Sequence, residues 1–190
     1  MENKDTVIVI GSGGRENAIV NALIKNHIKL NFNVVCFGPN VNPGISRYVN
    51  MVIVKLNKKD VIMDKIVEMR DSGKYNFLFA IIGPEQPIAD GFTDSLEDLN
   101  IPCIAPTQKY AQIETNKLFC RNLLKSIENK RHTRISPDYI HATTINEVND
   151  FSIKHSNNVV IKKTGLCGGK GVYVSDDHFS TNIECKNICK

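Results

Sequence analysis

Two lysines set among glycines mark the stretch of this chain best suited to chemistry. Residues 159–174 read Val-Val-Ile-Lys-Lys-Thr-Gly-Leu-Cys-Gly-Gly-Lys-Gly-Val-Tyr-Val. β-Branched residues at both ends predict a strand, a loop and a returning strand. Lys162 closes the first strand and Lys170 sits inside the loop. Gly165, Gly168, Gly169 and Gly171 let the backbone come close to a ligand, because no Cβ stands in the way. Amide N–H groups of such a loop converge on an anion, and the lysines add positive charge. The combination suits a nucleotide polyphosphate. It is not the Walker A pattern, in which a helix follows G-x-x-x-x-G-K-[ST]. Here Val172 follows the last glycine and the chain turns back into a strand.

A second anion-binding candidate is Gly11-Ser-Gly-Gly-Arg-Glu16, which follows a strand and opens a helix. Unpaired amides and the helix dipole face outward at such a place. Gly13 and Gly14 allow close approach, and Arg15 offers a guanidinium for phosphate. Glu16 stands where the dinucleotide fingerprint needs its third glycine, and Phe37-Gly38-Pro39 replaces the acid expected after the second strand, so NAD is disfavoured. The plain alternative is a tight turn that needs glycine only for shape.

Glu85, in Gly83-Pro-Glu-Gln-Pro87, stands at the same carboxyl edge of the sheet. It either accepts hydrogen bonds from ligand hydroxyls or an amine, or opposes the dipole of the next helix. Gly38 to Gly44 is a turn-rich loop with no helix signal. Glu114 and Lys117 read as a surface pair three residues apart. The five histidines form no cluster, no serine or cysteine nucleophile motif is visible, and no catalytic or metal-ligating residue is assigned.

These residues need a scaffold. Thr6 to Ile10, Asn33 to Phe37, Met51 to Val54, Phe77 to Ile82 and Ile101 to Ala105 predict strands. Residues 15–26, 60–72 and 88–99 carry helical spacing. The alternation implies an α/β fold: an open, mostly parallel, Rossmann-like sheet with helices on both faces. After Pro106 the pattern changes. Residues 108–126 predict one long amphipathic helix, residues 138–141 a strand, and residues 144–155 a helix capped by Thr144 with Glu147 three residues on. The expected domains are 1–106, an α/β substrate-binding domain, and 107–190, a linker helix leading into an incomplete α+β unit with the glycine hairpin.

Composition narrows the function classes. The net charge of +4 is mild. The basic stretch from Lys125 to Arg134 lacks the interleaved aromatic residues that stack on bases, so it reads as a solvated loop and nucleic acid is not expected as a partner. No window approaches the roughly 18 apolar residues of a membrane span, and no signal peptide opens the chain. A cytoplasmic setting is expected, with no membrane partner. The six cysteines are scattered without a CxxC pair, which suggests reduced, mostly buried thiols. Cys185 and Cys189 lack the further ligands a zinc site needs.

In order along the chain, these motifs resemble those of the phosphoribosylamine–glycine ligases, the glycinamide ribonucleotide synthetases of the ATP-grasp superfamily. That family opens with GxGGREHA, matched by Gly11-Ser-Gly-Gly-Arg-Glu-Asn-Ala18, and continues with a PGNxG-type loop, matched loosely by Gly38 to Gly44. Its GPExPLxxG is matched by Gly83 to Gly91. Its GPT…A…E…K helix is matched by Ala105-Pro-Thr107, Ala111, Glu114 and Lys117. Its VVKADGLAAGKGV is matched by residues 160–172.

The resemblance implies a pre-ATP-grasp sheet followed by part of an ATP-grasp α+β subdomain. It also implies an ATP-dependent carbon–nitrogen ligase of purine biosynthesis, which joins phosphoribosylamine to glycine with ATP and Mg²⁺ through a glycyl phosphate. Gly13, Gly14, Arg15 and Glu85 would face the phosphosugar. Lys117 and Lys162 would face ATP, and Gly168, Gly169, Lys170 and Gly171 would close over its phosphates. Asn17 stands in place of the family's histidine, and Lys163-Thr164 in place of Ala-Asp. The half bearing the acidic Mg²⁺ ligands would lie beyond Lys190, so the chain alone is expected to be inactive, with a second chain supplying that half. An inactive phosphosugar- or nucleotide-binding remnant and an interaction module are the other readings.

Overall fold

Strands form where β-branched residues run together. The structure, a computed structural model, describes residues 4–180 and Glu184, without the side chains of residues 26–30. Cys185, Cys189 and most of the tail after Ser180 lie outside the described residues. Contacts divide the chain into two compact units, Met1–Ala111 and Gln112–Lys190.

In the first unit, β1 (Lys4–Ile10), β2 (Asn33–Gly38), β3 (Asn50–Ile53), β4 (Tyr75–Ile82) and β5 (Cys103–Ile104) make one sheet, ordered β3-β2-β1-β4-β5. Every neighbouring pair is parallel. Successive side chains of β1 point to opposite faces, and both faces are covered. Ile8 and Ile10 join Phe37, Ile62, Ile66, Phe92 and Leu96 on one side. Val7 and Val9 join Val20, Val34, Cys36 and Ile45 on the other. Each such aliphatic side chain contributes about 1.5–3 kcal/mol by leaving water. The helices that cover the sheet are α1 (Gly14–Leu30) and α2 (Pro43–Ser46) on the second side, and α3 (Lys59–Asp71) and α5 (Phe92–Asp98) on the first.

Several elements differ from expectation. The loop from Gly38 to Gly44 leads into α2, because the Asn42 side chain accepts from the Gly44 N–H at 2.9 Å and Pro43 suits the first helical position. The helix expected over 88–99 is two helices, α4 (Glu85–Ala89) and α5. Gly91, at φ +79°, turns the chain between them.

The helix expected over 108–126 also divides, into α6 (Gln108–Thr115) and α7 (Lys117–Arg131). Asn116 is extended and caps α7 by accepting from the Phe119 N–H at 3.0 Å. Lys125 to Arg131 thus belongs to a helix rather than a loop. Residues 138–141 form no strand, since no neighbouring strand pairs with them among the described residues; the Tyr139 hydroxyl instead meets the Asn122 side chain at 3.1 Å.

The second unit gathers α8 (Ile145–Lys154) against an antiparallel hairpin, β6 (Val160–Lys162) and β7 (Val172–Val174). Its small core holds Val159 and Phe179, with Val148, Phe151, Ile161 and Tyr173 around them. The expected cap forms: the Thr144 hydroxyl accepts from the Glu147 N–H at 3.3 Å, and Glu147 accepts from the Thr144 N–H at 2.9 Å. No helix among the described residues is long and apolar enough to cross a membrane. Cys36 is buried as expected, while Cys103, Cys120 and Cys167 are only partly covered.

Candidate functional site

Ile10 and Ile82 lie side by side at the carboxyl ends of β1 and β4. From β1 the chain turns through Gly11–Gly13 into α1 and on to β2; β4 lies on the other flank of β1. The two loops therefore diverge at a switch point, which is where open parallel sheets take ligands. Arg15, in the first turn of α1, bridges them. One guanidinium nitrogen, Nη1, donates to the Gly83 carbonyl, and Nη2 donates to Glu85 Oε1 at 2.7 Å. The pair stays open to solvent, with side-chain exposures of 58% for Arg15 and 38% for Glu85. The hydrogen bond from Arg15 holds the Glu85 carboxyl below the ordinary carboxylate range, and a backbone hydrogen bond at Glu85 adds to it. Glu85 also begins α4, where a helix dipole favours a negative charge.

Beneath this pair lies Glu16, only 4% exposed. Its Oε2 accepts from the Gly13 N–H at 2.6 Å. A methyl group added at Gly83 would lie 2.7 Å from Glu16 Cδ and closer still to Oε1; one added at Gly11 would meet Cδ at 2.7 Å and Pro84 Cδ at 2.8 Å. Gly83 is thus a glycine because the Glu16 side chain occupies the space beside it, and Gly11 both for that reason and because its φ is +114°. The Cys36 thiol donates to the Gly11 carbonyl at 3.0 Å, and burial, reinforced by the Glu16 carboxylate, pushes its pKa up to about 12.

The loop after β2 closes the same rim. Asn42 Nδ2 donates to the Ser12 carbonyl at 3.0 Å and to the Gly13 carbonyl at 3.3 Å. A Cβ at Gly44 would meet Asn17 Oδ1 at 2.5 Å, and one at Gly38 would meet Ser12 Cβ at 2.5 Å. A Cβ at Gly14, by contrast, would have nothing within 4 Å. Its amide belongs to the first helical turn, where no intrahelical acceptor is available. The expected residues Gly13, Gly14, Arg15 and Glu85 therefore share one edge of the sheet. Glu16, Asn17 and Asn42, which fix that edge, were not expected as site residues. The signal for Glu16 is its place three residues after the helix-capping position.

The remaining expected residues gather at the hairpin. Gly165, Gly168, Gly169 and Gly171 all have positive φ, between 56° and 81°. Lys162 and Val172 pair at the loop's base, and the Lys170 N–H donates to the Cys167 carbonyl at 2.9 Å. Lys162 and Lys170 are exposed. Lys117, at the first position of α7, donates to the Gly165 carbonyl at 2.6 Å rather than pairing with Glu114, which belongs to α6. Three lysines thus border a loop whose glycines leave the backbone bare.

Solved structures share this fold. An ADP complex of N5-carboxyaminoimidazole ribonucleotide synthetase aligns with a TM-score of 0.69 at 14% identity, over 99% of this chain and 45% of its own. The synthetase of that name from Thermus thermophilus aligns with a TM-score of 0.63 at 11% identity, over 95% of this chain and 42% of its own. The fold of this chain is accordingly one that these synthetases also contain.

Sequence comparison is more specific. The family model described as "Phosphoribosylglycinamide synthetase, N domain" matches residues 5–114. Phosphoribosylamine–glycine ligase of Methanobrevibacter smithii is 34% identical over 97% of this chain and 39% of its own length. That of Methanocella arvoryzae is 36% identical over 97% of this chain and 40% of its own. The chain belongs to the phosphoribosylamine–glycine ligase family and corresponds to its N-terminal portion. It spans about 40% of the length of the curated relatives it matches.

Proposed function

We propose that this chain gathers the substrates of phosphoribosylamine–glycine ligation, in which phosphoribosylamine and glycine combine as ATP is cleaved to ADP and phosphate. One observation carries the proposal: the Arg15–Glu85 pair stands at the switch point between β1 and β4, over the first turn of α1. The carboxylate of Glu85, kept ionised by Arg15, accepts hydrogen bonds from ribose hydroxyls or from the amine. The Gly14 amide and the positive end of α1 receive the phosphate. Arg15 is largely neutralised by Glu85, so its role is to orient that carboxylate as much as to attract the anion.

At the hairpin, Lys117, Lys162 and Lys170 neutralise ATP phosphates while Gly168, Gly169 and Gly171 bring amides close. A Cβ on Gly168 or Gly169 would have nothing within 4 Å, which leaves room for a polyphosphate. Mg²⁺ is different: among the described residues no three His, Cys, Asp or Glu side chains come together to hold a metal ion.

Calorimetry with ribose 5-phosphate, a stable stand-in for the phosphosugar, tests the rim. Binding is expected, and Arg15→Ala should weaken it about tenfold or more, as loss of a charge-assisted hydrogen bond does. Equal affinity for the two proteins would remove Arg15 from the site. ADP release in the presence of glycine and phosphoribosylamine decides between turnover and binding alone. We expect binding alone, with ADP release appearing when a polypeptide carrying the rest of the relatives' length is added.

A further inference from the structure

Among the described residues Glu16 is the only charged side chain that is buried. A carboxylate removed from water costs several kcal/mol unless hydrogen bonds compensate. Capping α1 accounts for one contact, Glu16 Oε2 to the Gly13 N–H at 2.6 Å. It does not account for the rest of the side chain, which fills the gap between the two loops. Its Cγ and Cδ displace any side chain from Gly11 and Gly83, and Pro84 closes over them. The next residue back along the chain, Arg15, grips the same Gly83 peptide through its carbonyl. The Gly83 turn is thus held from outside by residue 15 and from inside by residue 16.

We propose that Glu16 is a positioning residue: the length and shape of its side chain set the spacing between the loop after β1 and the loop after β4, and so keep Arg15 on Glu85. It touches no substrate; it acts through the pair above it. The consequence for phosphosugar binding rests on the function proposed above, whereas the effect on the pair does not.

Two substitutions separate positioning from mere support of the fold. Glu16→Asp keeps the charge but is one methylene shorter, so it cannot both cap Gly13 and fill the gap beside Gly83. Glu16→Gln loses the charge but keeps the length and an oxygen that accepts from Gly13. The readout is the titration of the Glu85 carboxyl, followed by carbon-13 NMR in the full chain.

In the unmodified protein Glu85 titrates below the ordinary carboxylate range. In the Asp variant the pair loosens and the Glu85 carboxyl rises toward its ordinary value; in the Gln variant it stays low. Sign matters here. Loss of the Glu16 charge alone would push Glu85 further down, so a rise reports lost hydrogen bonds to Glu85, of which that from Arg15 has the largest effect. Affinity for ribose 5-phosphate should fall about tenfold in the Asp variant and stay within about threefold of the parent in the Gln variant.

An unchanged Glu85 titration in the Asp variant, or a broken pair in the Gln variant, overturns the assignment. Should the Asp variant fail to fold, the Gln variant decides by itself: Glu85 held low supports the assignment, and Glu85 released overturns it. If the parent binds no ribose 5-phosphate but Glu85 still responds to Glu16→Asp, the substrate proposal fails and the positioning role stands.

Discussion

Glycine serves opposite purposes at the sheet rim and at the hairpin. At the rim, Gly11, Gly38, Gly44 and Gly83 each stand where a methyl group would strike a side chain of the segment from Ser12 to Asn17. There the missing Cβ leaves room for the protein itself, and at Gly11 alone of the four the backbone also has positive φ, +114°. In the hairpin, a Cβ on Gly165, Gly168 or Gly169 would have nothing within 4 Å, but all three have positive φ. There glycine supplies a backbone shape and leaves the surface bare. The carboxylates divide the same way. Glu16 and Glu147 both occupy the third position of a helix and reach back to its start, yet Glu16 is enclosed while Glu147 is exposed. One region is fixed by packing, the other by hydrogen bonds at the surface.

The largest effect should come from Gly83→Ala. Overpacking beside Glu16 costs about 1–3 kcal/mol, read as faster amide exchange in β1 and β4. The cost should shrink in a Glu16→Ala background, because neighbouring substitutions couple. Purely additive costs would break the contrast, since the clash would then lie elsewhere. Gly169→Ala should do less. A left-handed alanine costs roughly 1–2 kcal/mol, partly offset by a stiffer unfolded chain. Exchange should quicken in β6 and β7 and stay unchanged in β1. A greater loss at Gly169 than at Gly83 would reverse the assignment of the two regions.

The smallest effect concerns acid. Hydrogen bonds from the Thr143 and Thr144 amides, then from their hydroxyls, hold the Glu147 carboxyl at about 2. A depressed carboxyl stabilises the folded state above its unfolded value, near 4.5. That contribution is lost as the pH falls toward 2. Glu147→Gln should therefore destabilise α8 at pH 6, and the difference from the parent should shrink as the pH falls through about 2. Helix content followed by circular dichroism across that range checks it. A difference that persists in acid would mean that the cap acts through shape rather than charge.

Much of the scaffold was legible because burial writes itself into residue type. Thr6 to Ile10 had to be a doubly covered strand, and the alternation with helices had to give a parallel sheet. Strand order was not legible, since nothing in β4 itself says that it pairs with β1. The helices expected over 88–99 and 108–126 carried correct apolar spacing, but spacing is blind to a single residue. Gly91 and Asn116 break those helices through backbone conformation and capping, which outweigh periodicity locally. Asn42 was hidden for a related reason, because a short polar residue in a loop looks alike whether it caps a helix or faces water.

At the candidate site, Arg15 and Glu85 were visible as chemistry, whereas Glu16 read as a misplaced glycine. The capping pattern that revealed Thr144 and Glu147 was obscured at Gly13 and Glu16, where the first member has no side chain to announce it.

The contacts between the rim glycines and residues 12–17 also bear on how this chain can vary by descent. Gly38 answers to Ser12, Gly44 to Asn17, and both Gly11 and Gly83 to Glu16. Drift at any of these positions is tied to its mate. At Gly38, Gly44 and Gly83 a bulkier residue can enter only after its partner has shortened, so lineages should exchange these as covarying couples, whereas Gly11, at φ +114°, should stay fixed.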